Sequence, residues 1–456
     1  MKSPWLWGIV MLALALRLAL ALSANEQSVC TPDSADYKSL MTQMAGEGRF
    51  DSTFRTPGYP AFLLMTLTWG WQCVLLVQIA LDCGLVVLTF LIGRKLISHQ
   101  AGLLGALLQA VSPLAIASSC RILSDSLYAF MLAVVMLLLV RHFSSLREDV
   151  ARAADAPESG DKADRVDQSG RTWKALVLAA VVLGAATYVR PIGMMMAVPI
   201  FLVLLWGRRG LVRAGTFAVI FVACLAPWVS RNIHTQNYCG FSTFAVDSFA
   251  NYVAAPIVLG KYFWNPSSSS VDRNFWTKGA WTDWRLKLTK QVLQEHPLMV
   301  AKYQIKGAPI FWLPDATDVL EVAGLTEGNR GTLAVLRDEG IVAAIKRYFG
   351  SSMNDWTVSL TAIMLIVYVI WAVGLAAFLV AGVRRIVKSR LRMPAEAWII
   401  ILLVLLSMLA PGPAGHPRFR VPLEPYLCIA SAAGWLGLFG VLAARRRRNC
   451  QLTIDD

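Results

Sequence analysis

Apolar residues in this chain come in blocks rather than alternating with polar ones, and the blocks are long enough to cross a bilayer as helix. About 17 to 25 residues of low polarity span roughly 30 Å of hydrocarbon. Ten segments approach that length: 4–23, 72–93, 101–119, 124–140, 173–189, 191–206, 211–229, 357–382, 396–411 and 421–443. The sixth and ninth lie near the lower limit, so the turn at Val189-Arg190-Pro191 is expected to dip into the headgroup region. No small-residue cleavage site follows the first segment, which therefore reads as a permanent anchor and not a signal peptide. The pattern predicts an all-α polytopic membrane protein of about ten transmembrane helices with a mixed loop region on its outer side.

Composition narrows the function classes. Of 456 residues, 56% are apolar and 16% charged, with a mean hydropathy of +0.53, which excludes a soluble enzyme. The formal net charge of +14 is clustered beside the apolar blocks, where it sets topology, so no nucleic-acid partner is expected. The eight cysteines show neither CxxC nor Cys/His spacing, and no structural metal site is read from them. Cys30 and Cys239 both fall on the outer side, and their pairing is left open. Lys2, Arg94, Lys95, Arg208, Arg209, Arg213, Arg384, Arg385 and the run from Arg445 to Arg448 occupy one set of segment ends, which places both termini in the cytoplasm.

Three regions result. Residues 1–230 form a transmembrane module with a first outer loop (25–71) and a cytoplasmic linker (144–172), whose mixed charges among Ala, Gly and Ser predict disorder. Residues 231–356 form a large outer loop domain, and 357–456 the last transmembrane helices with a basic tail. The outer domain carries Trp264, Trp276, Trp281, Trp284 and Trp312, and 281–296 has the spacing of a helix lying at the membrane surface. In the first loop, Ala61 to Gly70 reads as an apolar surface helix.

Charged residues gather at one level on the outer side. Asp33 and Asp36 lie in the first loop, Asp125 opens the fourth helix, and Arg190 ends the fifth. Arg231 follows the seventh, while His416, Arg418 and Arg420 precede the tenth. Carboxylates beside arginines suit a reaction in which a hydroxyl or amine loses a proton while a phosphate leaves. Each has a plainer reading: Asp33 or Asp36 as the cap of a helix over 34–46, Asp125 as the cap of its own helix, and the arginines as headgroup anchors. Arg17 and Asp82 lie inside helices, where charge is costly, and are read as structural partners.

The order of motifs resembles the polytopic glycosyltransferases of the GT-C class, in particular bacterial relatives of protein O-mannosyltransferases and of lipid A aminoarabinose transferase. The resemblance runs through Leu16-Arg17-Leu18, Asp33-x-x-x-Tyr37, Arg55-Thr-Pro-Gly-Tyr59-Pro60, Ser112-Pro113, and Leu123-Ser124-Asp125-Ser126-Leu127. It continues with Tyr188-Val189-Arg190-Pro191, Pro227-Trp228-Val229-Ser230-Arg231-Asn232 and Arg418-Phe419-Arg420-Val421-Pro422. It implies a sugar donor carried on a polyprenyl phosphate, a periplasmic acceptor (lipid, glycan or protein), inverting displacement, and a site on the periplasmic face of a bacterial inner membrane. By that resemblance Asp33 is the base, with Asp36 as alternative, and Asp125 the second catalytic acid. Arg55, Arg190, Arg418 and Arg420 take the donor phosphate, while Tyr37, Tyr59, Arg231 and His416 contact substrate. Ser34 stands where many relatives have Glu, which removes an acidic pair from the loop; no cofactor is assigned, and a divalent metal is the one left open. A lipid-linked sugar flippase or permease and a non-catalytic envelope assembly factor are the rival readings. The first requires ionisable groups at mid-membrane, where only Asp82 is expected.

Overall fold

The computed structural model describes residues 3–155, 162–207, 209–260, 280–314, 316–325, 339–340, 342–343, 355–389 and 393–452. Among the described residues every regular element is helical, those between 231 and 356 included. Trp264, Trp276 and Arg208 lie outside the described residues, as do the side chains of Trp281, Arg385 and the run from Arg445 to Arg448.

Helix α1 (Pro4–Ser23) opens with Pro at its first turn, where a missing N–H is tolerated. Two outer helices follow, α2 (Glu26–Val29) and α3 (Pro32–Glu47). Each has a reciprocal capping box, Asn25 with Ser28 and Thr31 with Ser34, so neither Asp33 nor Asp36 caps α3. After α4 (Gly58–Thr66) and a 3₁₀ turn comes α5 (Trp71–Leu96). The third apolar block divides into α6 (His99–Val111) and α7 (Pro113–Ser119), bent by 57° where Pro113 lacks a donor.

The chain continues through α8 (Asp125–Asp155), α9 (Lys162–Val189), α10 (Gly193–Leu204) and α11 (Gly210–Gln236). The expected linker 144–172 is thus helical in its described parts, up to Asp155 and again from Lys162. The stretch expected to form the outer domain holds α12 (Phe244–Phe249), a π-helical turn (Ala250–Ala254), α13 (Ala255–Leu259), α14 (Ala280–Glu295), α15 (Pro297–Lys306), α16 (Ala308–Phe311) and α17 (Ala316–Val322). Then α18 (Asp355–Ser389), α19 (Ala395–Leu409), a 3₁₀ segment (Pro417–Leu423) and α20 (Glu424–Leu452) complete the bundle.

Seven helices among the described residues are long and apolar enough to cross a membrane, eight when α6 and α7 count as one bent span. The expected ten is therefore reduced. Helices α10 and α19 have 12 and 15 residues, about 18 and 22 Å at 1.5 Å per residue, short of the hydrocarbon thickness. They pack on each other, with Trp206 and Trp398 edge to face at 6.0 Å. Because α1 leads into α2 and α3 and α20 starts beside them, the start of α1 and the end of α20 lie at the end of the bundle opposite Asp33.

Glycines set two close approaches. A Cβ on Gly102 of α6 would meet the Phe90 carbonyl oxygen of α5 at 2.6 Å, and one on Gly58 would meet the Tyr188 carbonyl oxygen at the end of α9 at 2.6 Å. Small residues at helix contacts let backbones pack closely where lipid supplies no hydrophobic drive. Inside the bundle, Arg17 of α1 is fully buried and paired with Asp82 of α5. Its Nη1 donates to the carbonyls of Ala13 at 3.0 Å and Ala110 at 2.9 Å, so one guanidinium ties α1, α5 and α6. Cys30 and Cys239 are both free thiols; the Lys38 ammonium lies 3.2 Å from the Cys30 sulfur.

Removing one partner of such a pair strands a buried charge. Asp82→Ala is expected to cost about 3–5 kcal/mol, and the double variant Arg17→Met, Asp82→Leu to recover most of it. Thermal unfolding of the detergent-solubilised protein checks both, and equal destabilisation by single and double variants would contradict the pairing.

Candidate active site

Pro32 and the Thr31 cap fix the start of α3, which leaves the Asp33 carboxylate in the first turn free to bond elsewhere. Next to it Ser34 is buried and donates to the Ile122 carbonyl oxygen at 2.7 Å, while the Ile122 amide donates to the Val29 carbonyl oxygen at 3.0 Å. These bonds fasten the first outer loop to the segment that carries Asp125. One helical turn along, the Tyr37 hydroxyl meets Ser124 Oγ at 3.1 Å.

Arg55 reaches the same place from the other end of the loop. Its Nη2 donates to Asp33 Oδ1 at 2.7 Å and to Asp36 Oδ2 at 3.0 Å, and its Nη1 to the Tyr37 hydroxyl at 3.4 Å. The strand of chain bearing Arg55 is held by the outer domain: the Thr243 amide donates to the Thr53 carbonyl oxygen at 2.9 Å and Ser242 Oγ to that of Phe54 at 2.8 Å. Arg418 Nη2 donates to the second oxygen of Asp33 from the opposite side. Asp33 thus lies between guanidiniums 22 and 385 residues away in sequence.

Asp125, only 2% exposed, pairs with Nη1 of Arg190, whose guanidinium also sits 5.9 Å from the Tyr128 ring centre. Close packing of Gly58 on Tyr188 sets the Arg55 loop against the end of α9, where Arg190 emerges. His416 Nδ1 accepts from the Arg418 amide at 3.1 Å and starts the 3₁₀ segment that presents Arg418. Desolvation lowers the His416 pKa, as do Arg418 and Arg121, while Asp318 and Asp125 oppose the shift.

Three residues expected at the site are placed differently. Arg420, 2% exposed, turns away from Asp33: its Nε donates to Glu424 at 3.0 Å and its Nη1 to the Phe311 carbonyl oxygen at 2.9 Å. Glu424 in turn accepts from Ser112 at 2.9 Å, and Arg420 borders an apolar groove with Leu108, Leu114, Met364, Tyr368 and Trp371. With about three residues per 3₁₀ turn, positions two apart face different sides, so Arg418 and Arg420 diverge. Tyr59 is wholly buried and gives its hydroxyl to Gln78 Oε1 at 2.9 Å; Gln78 Nε2 donates to the Arg121 carbonyl oxygen at 2.6 Å. Arg231 lies over Trp228 at 4.7 Å and bonds Asn232 at 2.9 Å, with no bond to Asp33 or Asp125 among the described residues.

Other residues at the site had escaped notice. Arg121 pairs with Asp318 at 2.8 Å and Glu321 at 2.7 Å, which docks α17 beside Asp125. Tyr252, on the π-helical turn, has its phenol pKa raised by burial and by the charge of Asp33. An acidic pair three apart on a short helix and a lone Tyr carry little signal in sequence.

A resident divalent ion does not fit the donors at Asp33. Both its oxygens are engaged by guanidiniums, and among the described residues no group of three or more His, Cys, Asp or Glu side chains converges.

Residues 73–213 match the family model of dolichyl-phosphate-mannose-protein mannosyltransferases, a stretch under half of the chain that includes Asp125 and Arg190. No curated protein matches the sequence. Among solved structures, the oligosaccharyltransferase of Archaeoglobus fulgidus in its apo form is similar over 99% of this chain and 52% of its own, with a TM-score of 0.53 at 13% identity. The chain has the GT-C fold. The GT-C chain spans about half the length of that relative, 52%. Oligosaccharyltransferase AglB from Archaeoglobus fulgidus, in complex with an inhibitory peptide and a dolichol-phosphate, gives a TM-score of 0.52 at 12% identity over 99% of this chain and 52% of AglB. ArnT from Cupriavidus metallidurans bound to undecaprenyl phosphate gives 0.40 at 13% identity over 95% of this chain and 78% of ArnT.

Burial alone would raise the Asp33 pKa; Arg418 and Arg55 outweigh it and hold the carboxyl well below the usual carboxylate range. A carboxyl depressed in the folded state adds stability that is complete above its unfolded pKa, about 3.9, and is lost as pH falls through the lower folded value. The difference in unfolding temperature between the wild type and Asp33→Asn is therefore expected to be constant from about pH 5 upward and to shrink in stronger acid. A difference that instead vanished between about pH 6 and 8 would remove the double clamp.

Proposed function

We propose that the protein is a membrane glycosyltransferase that moves a sugar from a polyprenyl-phosphate donor to a hydroxyl or amine of an acceptor: a lipid, glycan or protein. The observation that carries this reading is Asp33 clamped by Arg55 and Arg418, next to the Asp125–Arg190 pair. The partial match to mannosyltransferases and the GT-C fold support it. The distribution of Lys and Arg favours the periplasmic side of a bacterial inner membrane for the Asp33 end and the cytoplasm for both termini.

In the proposed reaction the acceptor oxygen or nitrogen attacks the anomeric carbon as the bond from that carbon to the phosphate oxygen breaks, which inverts its configuration. Asp33 takes the acceptor proton. The electron pair of the broken bond stays on the departing polyprenyl phosphate, whose charge is met by Arg418, Arg55 and Arg190. A guanidinium has five N–H donors, so Arg418 can hold phosphate and carboxylate together. When the phosphate claims part of that set, an Asp33 oxygen is released to face the acceptor. Asp125, fixed by Arg190, orients the acceptor or the sugar, and Tyr37 holds Arg55 in place. Arg420 has a structural role, in its pair with Glu424. The transport reading loses its support because Asp82, the acid expected at mid-membrane, is closed off by Arg17.

Incubating the purified protein with a labelled polyprenyl-phosphate sugar tests the proposal. Asp33→Asn is expected to lower kcat by about 10²- to 10⁴-fold with little change in donor KM. Arg418→Ala should raise donor KM as well as lower kcat, and Arg420→Lys should act on stability alone. Near-normal transfer by Asp33→Asn would remove the base; lipid translocation without sugar loss would remove the enzyme.

A further inference from the structure

Helices α14 and α15 carry an apolar face that no part of the described protein covers. Each is pinned from behind. Arg285 of α14 pairs with Asp247 at 2.6 Å, and Leu288 and Val292 pack with Ala254. In α15, Gln304 Nε2 donates to the Ala410 carbonyl oxygen, just past the end of α19, at 3.0 Å. Gly307, at the end of α15, lies so close to Gly412 that a Cβ there would stand 1.6 Å from its carbonyl oxygen. The orientation of both helices is thereby fixed, and the outward face follows from it. Leu298, with 85% of its surface exposed, and Ile305, with 59%, point away from the protein, Leu286, Leu293 and Met299 are exposed in part on the same side, and α15 has no buried residue.

The charged residues of these helices are mostly basic. Lys287, Lys290, Lys302 and Lys306 stand against only Asp283 and Glu295, since Arg285 is committed to Asp247. Large apolar side chains flanked by lysines mark a helix that sinks its apolar face about 5–10 Å into the headgroup boundary while the ammonium groups reach the lipid phosphates. Height is set by the contact with Ala410, which follows the apolar helix α19. Trp69 and Leu22, also strongly exposed, mark the same end of the bundle.

We infer that α14 and α15 form a paddle that rests on the anionic lipid surface of the membrane that the bundle spans, at the end that holds Asp33. The π-helical turn bearing Tyr252 packs on α14 and on the 3₁₀ turn Gly412–Ala414, so the paddle supports one wall of the site from the lipid side. This inference does not depend on the chemistry of the site.

The full-length protein, reconstituted in vesicles of phosphatidylcholine with or without phosphatidylglycerol, is to be cross-linked with a phospholipid photoactivatable near its headgroup and mapped by peptide mass spectrometry. Label is expected on peptides covering 284–306, and more of it when phosphatidylglycerol is present. Lys290→Glu with Lys302→Glu should abolish the gain from phosphatidylglycerol while labelling of α1 and α18 is unchanged, which also reports that the variant is folded. Label confined to the spans would overturn the inference, as would equal labelling with both lipid mixtures. A lysine-reactive cross-linker that joined two copies of the chain through 284–306 in the same vesicles would assign the face to a second copy instead, and overturn it too.

Discussion

A carboxylate kept ionised at the rim of an apolar bundle needs positive charge beside it, and the chain cannot supply that charge locally. Asp33 obtains it from Arg55, across the first outer loop, and from Arg418, at the threshold of the last helix. The same solution recurs: Arg17 with Asp82, Asp125 with Arg190, Arg121 with Asp318, Arg420 with Glu424. All but the last join distant parts of the sequence, and each would be costly to break because the survivor stays buried and charged. In a bundle whose helices gain little by burying apolar surface from lipid, such pairs select which helices meet. The candidate site is therefore a by-product of the interactions that determine the arrangement of the chain.

Block length made most of the bundle legible, and its failures share one cause. Hydropathy sums over a window and does not register where a helix must stop. The segments 191–206 and 396–411 are apolar enough, but Pro191 and Gly193 delay the start of α10, while Pro394 and Pro411 bound α19. Pro113 breaks the third block in the same way. The described ends of the 144–172 linker are helical: Ala151, Arg152, Ala153 and Ala154 are strong helix formers that extend α8.

At the site, residue types were legible and their directions were not. Asp33, Arg55, Asp125, Arg190 and Arg418 could be gathered by motif and topological level, but level alone could not separate Arg418 from Arg420, two positions apart in a 3₁₀ segment that had no signature in sequence. Tyr59 sits in a motif beside Arg55 yet supports it from the core through Gln78. The capping reading of α3 failed because Thr31 and Ser34 satisfy the helix end reciprocally, which leaves both acids for other partners. Ser34 itself is buried and donates to the Ile122 carbonyl oxygen, so this position ties the loop to the segment before Asp125.

Charge balance connects this geometry with the proposed reaction. Among the groups paired directly with Asp33 and Asp125, the guanidiniums of Arg55, Arg190 and Arg418 exceed the two carboxylates by one positive charge, which the more exposed Asp36 beside Arg55 offsets in part. A glycosyl phosphate diester carries one negative charge and would bring the site to neutrality. As the sugar leaves, the phosphate gains a second negative charge, and Asp33 loses its own by taking the acceptor proton. The total around Arg418 is then unchanged while the charge moves from one side of its guanidinium to the other. A fixed donor between the two positions needs no reorganisation during that transfer, which is the condition under which a preorganised polar site lowers a barrier most. A second carboxylate at position 34 would have offset the excess that draws the donor in.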